Sequence, residues 1–201
     1  MQQLTGVLYV VATPIGNLGD ITERARKVLT EADLIAAEDT RETLRLRSHF
    51  GITAKLVAYH DHNEDSMTAR LLSELEEGRH VALVSDAGTP LISDPGYRLV
   101  AAARARSLAV VPVPGATALI CALSASGLPS DRFLFLGFPP RASAQRRGLL
   151  ESVASEPGTL ILYESAKRVL ATLRDIEDVL GAARRLVIAR EITKRFETFL
   201  C

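Results

Sequence analysis

Residues Val81–Gly96 read VALVSDAGTPLISDPG, and this stretch decides the fold class of the chain. Its first four residues are apolar and predict a buried strand, and a helical pattern begins at Tyr97. Ligands of open α/β sheets bind outside the carboxyl ends of the strands. Asp86 can accept hydrogen bonds there, and Gly88 lets a ligand approach the main chain. A turn that binds nothing is the alternative, but two Asp/Gly/Pro clusters in one connection favour a polar-ligand site.

The same alternation of apolar strands and helices extends along the chain, which predicts an α/β fold with a mostly parallel sheet. Gly127–Asp131 resembles a linker, so we predict an N-terminal domain over 1–127 and a C-terminal domain over 128–201. The second domain is expected to be incomplete, because the chain stops at Cys201 just after a further strand-like run begins at Phe196–Leu200. The predicted strands are Leu4–Ala12, Leu34–Ala37, Leu56–Tyr59, Val81–Val84, Ala109–Val113, Phe133–Phe138, Thr159–Tyr163 and Arg185–Ala189.

Composition narrows the class of protein. The 201 residues carry 24 basic and 24 acidic side chains, so the net charge is zero. That balance argues against nucleic-acid binding by bulk electrostatics, although a local basic face stays open. The two cysteines have no motif spacing, which indicates a reducing compartment. Since no apolar run is long enough to cross a bilayer, we predict a cytoplasmic protein that does not bind membranes.

Four loops follow the carboxyl ends of predicted strands in the first domain: Thr13–Gly19, Glu38–Arg41, Ser85–Pro95 and Pro114–Thr117. None contains the Gly-x-Gly-x-x-Gly of dinucleotide sites or a P-loop. Three are rich in glycine, proline or small residues, so a ligand with a planar ring and a polar tail could lie across their backbone.

The catalytic candidates stand beside these loops. Glu38 and Asp39 could orient or deprotonate a hydroxyl group, or Asp39 could simply cap the following helix. Lys194 could be a catalytic or phosphate-binding amine, or an ordinary surface lysine. The spacing of the residues does not rank these possibilities.

Two further clusters have a functional and a plain interpretation. Arg141, Arg146 and Arg147 could meet phosphates, or they could form a solvated helix face. The segment His60–Asp65 could be imagined as a set of metal ligands, but a solvated acidic loop is the better interpretation. We therefore predict no metal site.

Taken together, eight sequence blocks resemble the tetrapyrrole methylase superfamily, and within it the ribosomal RNA methyltransferases of the small subunit. The resemblance covers essentially the whole chain. It implies two domains with S-adenosylmethionine in the cleft between them, usually in a homodimer. It also implies methyl transfer to the ribose 2′-oxygen of a cytidine in the decoding region of 16S rRNA. The blocks are Ala12–Leu18, Ala37–Arg41, Tyr59–Glu64, Val84–Gly96, Pro112–Gly115, Phe133–Pro140, Tyr163–Ser165 and Arg190–Lys194.

The resemblance also implies roles for particular residues. Glu38, Asp39 and Lys194 become candidates for the base that takes the hydroxyl proton, and Arg41 becomes a candidate RNA contact alongside the three arginines above. The chain has Ser165-Ala166-Lys167-Arg168 where the family commonly has Ser-Pro-His-Arg. The implied cofactor contacts are Pro14, Ile15, Asp86, Ala87, Gly88, Thr89, Gly115, Ala116, Thr117, Tyr163 and Ala189.

Two other functions fit the sequence. A methylase of precorrins or other tetrapyrroles would share the fold and the cofactor. A non-catalytic module that binds RNA or a nucleotide is the alternative from a different class.

Overall fold

The computed structural model describes residues 6–201, which form two compact units. The first ends at Thr117 and the second covers Ala118–Cys201, so the division precedes the predicted boundary at 127/128. Helix α5 (Ala118–Ser126) accounts for the difference. Its Leu119 packs with Ile161 of the second unit, and the Leu119 amide donates to the Tyr163 hydroxyl at 3.0 Å.

The first unit has an α/β fold, and its strands all run parallel in one sheet, in the order β3 (Lys55–Ala58), β2 (Leu34–Ala37), β4 (Val81–Val84), β1 (Val7–Val11) and β5 (Ala109–Val113). This confirms the predicted fold class. The predicted start of the first strand, Leu4–Thr5, lies outside the described residues. The helices are α1 (Glu23–Glu31), α2 (Thr40–Phe50), α3 (Glu64–Glu76) and α4 (Tyr97–Ala105).

Strand β4 is buried on both faces, which explains its continuous apolar sequence. Val81 and Leu83 point into one apolar cluster, together with Leu99 of α4. Ala82 and Val84 alternate to the opposite side and pack in a second cluster with the apolar faces of α1 and α2. Helices therefore cover both faces of the sheet, and binding is left to the ends of the strands.

The strand order brings particular loops together. Strands β2, β4, β1 and β5 are consecutive in the sheet, although they are distant in sequence. In register, Ala37 lies opposite Val84, and Val11 lies opposite Val113. Because parallel strands end at the same edge, the loops that follow these strands become neighbours.

The second unit contains two short strand pairs and three helices among its described residues. Strand β6 ends before Gly137, whose φ of +64° turns the chain away from the predicted extension to Phe138. The predicted strand-like run from Phe196 is confirmed as β9, which pairs antiparallel with β8. The elements besides α5 are β6 (Phe133–Phe135) and β7 (Thr159–Ile161), which run parallel, α6 (Ser143–Ser152), α7 (Val169–Leu180), β8 (Ile188–Arg190) and β9 (Thr198–Leu200).

Over residues 6–201, none of the helices combines the length and the apolar character needed to cross a bilayer.

Candidate functional site

The loops after β1, β4 and β5 are joined by hydrogen bonds. The Thr13 amide donates to the Gly88 carbonyl at 2.8 Å, and the Gly88 amide donates back to Thr13 at 3.1 Å. The Thr89 hydroxyl donates to the carbonyl of Ala116 at 3.1 Å. These bonds bring three of the sequence-predicted loops into one polar edge above the sheet.

Gly88 is required by both backbone conformation and space. Its φ is +88°, a backbone conformation that residues other than glycine rarely adopt. A Cβ atom there would lie 3.2 Å from Cγ2 of Ile15 and 3.6 Å from the Ala116 carbonyl oxygen. A Cβ on Gly115 would lie 2.8 Å from the Ala12 Cβ. The loops thus approach each other closely at Gly88 and Gly115.

The loop after β2 is attached to the same edge. The Asp39 amide donates to the Asp86 carboxylate at 2.8 Å, which links residues 47 positions apart. Three carboxyl groups at this edge are close enough for their charges to interact, those of Glu38, Asp86 and Asp94. Partial burial, together with the charges of Asp94 and Asp86, raises the pKa of Glu38 to about 7. Burial, and then the charge of Asp86, also raises the pKa of Asp94.

Asp94 did not feature among the sequence-predicted site residues, although it stands in the second Asp/Gly/Pro cluster of the opening stretch. The sequence signal for Asp94 is the second Asp/Gly/Pro cluster, because a simple turn between strand and helix needs only one such cluster. The charge interaction between Asp94 and Glu38 arises from strand order, which a single sequence does not reveal.

Asp39 behaves differently from its neighbour Glu38. Its carboxylate caps α2 by accepting from the Arg41 amide at 2.8 Å, and it pairs with the Arg41 guanidinium at 2.6 Å. The hydrogen bonds from the Arg41 side chain and amide lower the pKa of Asp39 to about 2. Asp39 is therefore a poor proton acceptor near neutral pH, and the predicted helix cap is the role its contacts support.

Replacing Glu38 by glutamine is expected to stabilise the protein at high pH. The pKa of the Glu38 carboxyl group is about 7 in the folded state and 4.5 for the ordinary group. The folded state therefore holds this proton more tightly, and the free energy of unfolding falls as pH rises from 4.5 through about 7. Allowing for its partial exposure, we expect Glu38→Gln to gain about 1 kcal/mol at pH 8 and almost nothing at pH 4. Thermal unfolding at both pH values measures this difference.

Asp39→Asn is the control of opposite sign. Because the pKa of Asp39 is lowered, its stabilising contribution is present at neutral pH and disappears as pH falls through about 2. The variant should melt below the wild type at pH 8. Equal pH dependence of Glu38→Gln and the wild type would contradict the raised pKa.

The loop after β3 supports the neighbouring loop after β4. The Glu64 carboxylate accepts from the Tyr59 hydroxyl at 3.0 Å and from the Gly96 amide at 3.3 Å, and it pairs with Arg98 at 3.2 Å. Burial raises the pKa of Tyr59 to about 12, so this hydroxyl stays a donor. Glu64 thereby anchors the end of the loop after β4. No group of metal-ligating side chains is present between residues 6 and 201.

The remaining predicted cofactor and catalytic residues belong to the second unit. Tyr163 follows β7, and its ring meets Phe135 and Phe138 edge-on at 4.9 and 5.5 Å between centroids. Ala189 lies within β8. Lys194 is exposed, and its ammonium group pairs with Glu191 at 3.6 Å.

The three arginines predicted to contact RNA differ in accessibility. Arg146 is buried with its side chain 4% exposed, and it pairs with the buried Asp175 at 2.5 Å. Arg146 is therefore not available to contact RNA, because its charge is already compensated inside the protein. Arg147 pairs with Asp178 at 2.6 Å, whereas Arg141 is exposed.

The sequence profile described as Tetrapyrrole (Corrin/Porphyrin) Methylases matches residues 7–200. The chain belongs to the tetrapyrrole methylase family. Similar proteins named "Ribosomal RNA small subunit methyltransferase I" occur in Pseudomonas aeruginosa and Escherichia coli O157:H7, each 58% identical over 96% of this chain and 68% of the relative. A protein of that name from Synechocystis is 56% identical, over 96% of this chain and 70% of the relative.

Solved structures of tetrapyrrole methylases have the same fold. The methyltransferase CobJ matches 98% of this chain and 85% of its own, with a TM-score of 0.72 and 20% identity. Cobalt precorrin-4 methyltransferase matches 96% and 84%, with a TM-score of 0.70 and 17% identity. Within the tetrapyrrole methylase family, this chain is an S-adenosylmethionine-dependent methyltransferase.

Proposed function

We propose that this tetrapyrrole methylase transfers a methyl group to the ribose 2′-oxygen of a cytidine in 16S rRNA. The observation that carries the proposal is the position of Glu38, a half-buried carboxyl group with a pKa near 7 at the edge where the glycine-containing loops meet. Such a group can accept a hydroxyl proton at neutral pH.

The loops after β1, β4 and β5 fit S-adenosylmethionine. When bound, that cofactor supplies a methyl group on a positively charged sulfur. The carboxylates of Asp86 and Asp94 favour a cation at this edge. The side chain of Ile15 and the close-packed backbone around Gly88 offer apolar and peptide surface to a nucleoside. We assign binding to the residues implied by resemblance in this unit: Pro14, Ile15, Asp86, Ala87, Gly88, Thr89, Gly115, Ala116 and Thr117.

Among the candidate bases, we assign proton removal to Glu38. Asp39 is committed to Arg41 and has a pKa of about 2, so it binds a proton too weakly. Lys194 is exposed and forms an ion pair with Glu191. Glu38 combines a suitable pKa with neighbouring loops that would hold the methyl donor.

RNA is favoured over a tetrapyrrole as the acceptor. The relatives named for small-subunit ribosomal RNA share 56–58% of their residues with this chain. CobJ and cobalt precorrin-4 methyltransferase share 17–20%, which indicates a common fold alone. The resemblance of the motifs narrows the acceptor to a cytidine of the decoding region.

Incubation with radiolabelled S-adenosylmethionine tests this function. We expect label in 16S rRNA of small ribosomal subunits from cells that lack the enzyme, and none in a precorrin. Subunits from cells that contain the enzyme are the control, since their site is already methylated. Nuclease mapping should find the label on one cytidine ribose. Labelled precorrin with unlabelled RNA would overturn the proposal, and cofactor or RNA binding without any transfer would favour a non-catalytic module.

The cytoplasmic location and the homodimer also belong to this proposal, because the first follows from a ribosomal substrate and the second is implied by resemblance. Sedimentation equilibrium of the purified protein measures the second. A single species with the mass of one chain would contradict the homodimer.

A further inference from the structure

A concave site lies in the second unit, beyond the ends of β6 and β7. Its volume is about 570 Å³, which is in the range of small-ligand sites. One wall is the segment Phe138–Arg141, which follows β6, and another is Glu164–Arg168, which precedes α7. We call it the Phe138 pocket. Its lining is separate from the residues assigned above to the methyl donor.

Arg168 holds the two walls of the Phe138 pocket together. Its Nη2 donates to the carbonyl oxygens of Pro139 and Pro140, at 2.5 and 3.3 Å, and pairs with Glu164 at 3.0 Å. The other contacts of Glu164 include a hydrogen bond of 2.7 Å from the Thr172 hydroxyl. The carboxylate in the wall is therefore compensated inside the protein, and its repulsion of an anion is reduced.

Two cationic side chains in the pocket lining have no such compensation. Arg141 and Lys167 are both exposed, and in the part of the chain covering residues 6–201 neither forms an ion pair. Arg146 and Arg147, close by in sequence to Arg141, are bound to aspartates instead. Arg146 and Arg147 are thus paired with aspartates, whereas Arg141 and Lys167 are left unpaired at this pocket.

Phe138 adds an aromatic surface. Its side chain is 59% exposed, which is costly for a large apolar group unless a partner covers it. Its ring meets Tyr163 at 61° with centroids 5.5 Å apart, so one edge is supported inside the protein. An exposed ring beside free cations is the combination that binds single-stranded nucleic acid, since bases stack on the ring and phosphates meet the cations.

We propose that the Phe138 pocket binds a nucleotide of single-stranded RNA, with the base stacked on Phe138 and the adjoining phosphates contacted by Arg141 and Lys167. This inference rests on the proposed function, because it gives that RNA a second contact point besides the acceptor ribose. A chain of zero net charge has no bulk attraction for RNA, so local sites of this kind must supply the affinity.

The test measures binding of fluorescein-labelled oligocytidylate by anisotropy, and KM for small ribosomal subunits in the methylation assay. Phe138→Leu keeps apolar volume but removes the ring, and we expect binding to weaken about 5- to 50-fold. The double variant Arg141→Gln/Lys167→Gln should flatten the slope of log K against log salt by about 1.4, or about 0.7 for each phosphate lost. KM should rise in both variants, with little change in kcat.

Matched controls come from the same unit. Arg174→Gln removes an exposed arginine of α7 that does not line the pocket, and Phe133→Leu removes another exposed ring, 42% accessible, at the opposite end of β6 from the pocket. Both should bind oligocytidylate as the wild type does. Calorimetric titration with S-adenosylmethionine should give the same affinity for all variants.

Three results would overturn the inference: wild-type protein that does not bind oligocytidylate, pocket variants that bind it and the subunits normally, or pocket variants that lose affinity for S-adenosylmethionine instead. Each is distinct from failure of the proposed function, which appears as wild-type protein that transfers no label to 16S rRNA. Circular dichroism of the two-cation variant, whose changes are at exposed side chains, separates lost contacts from misfolding.

Discussion

Glu38→Gln is expected to lower kcat for methylation of small ribosomal subunits by about 10²- to 10⁴-fold, the usual contribution of a positioned general base. Glutamine has a similar shape but cannot accept the proton of the ribose hydroxyl. Affinity for S-adenosylmethionine should change little, because the amide oxygen of glutamine can still accept the hydrogen bond from the Asp86 backbone amide. Single-turnover methylation with saturating cofactor measures the chemical step.

The pH profile separates a base from a group with a structural role. Glu38 must be ionised to accept a proton, so the wild-type rate should rise with pH through about 7 and then level off. The residual rate of Glu38→Gln should lack this step. Asp39→Asn is the comparison, since it alters the adjacent carboxylate while asparagine can still cap α2. We expect it to retain most of kcat; a loss as large as that of Glu38→Gln would contradict the assignment.

Gly88→Val is expected to weaken S-adenosylmethionine binding roughly 30-fold or more. A β-branched residue at a φ of +88° costs on the order of 2 kcal/mol or more, and its Cβ would press on Ile15. Relief of that strain must shift the loop after β4 and disturb its reciprocal hydrogen bonds with Thr13. Calorimetric titration measures the loss of affinity without requiring RNA.

Gly51→Val provides a control with similar backbone strain at a different place. Gly51 ends α2 with a φ of +65°, and a Cβ there would meet no atom within 4 Å. The variant should lose stability through strain but bind S-adenosylmethionine as the wild type does. If both valine variants lose the same affinity, general destabilisation explains the result. If Gly88→Val binds normally while folded, the loop is not part of the cofactor site.

The elements of the first unit could be predicted from sequence because their signals are local. The uninterrupted apolar run of Val81–Val84 indicates a buried strand. The Asp/Gly/Pro clusters after it indicate a loop that continues to the helix beginning at Tyr97. The boundary between the two units is harder to predict, because the same sequence pattern fits more than one division of the chain. Gly127 resembled a linker, yet the unit boundary depends on Leu119 packing with Ile161, which is distant in sequence.

The arginines show the same limit. Nothing in the sequence distinguishes Arg146 from Arg141, since Arg141 lies just before α6 and Arg146 lies within it. Asp175 makes the difference between the two arginines, because it forms an ion pair with Arg146, 29 positions away in sequence. Asp175 reaches Arg146 through the tertiary packing of α7 on α6. The sequence alone therefore does not identify which arginine stays unpaired.

The sequence by itself determined the α/β class, the loops that carry glycine and carboxylates, and the family, because these depend on residue types in order along the chain. Tertiary structure decided which carboxyl group we propose as the base. Strand order places Glu38 beside Asp86 and Asp94 and leaves Asp39 with Arg41, so adjacent residues have pKa values of about 7 and about 2. Charge interactions depend on distance in space, and the strand order that sets this distance is not written in any one segment.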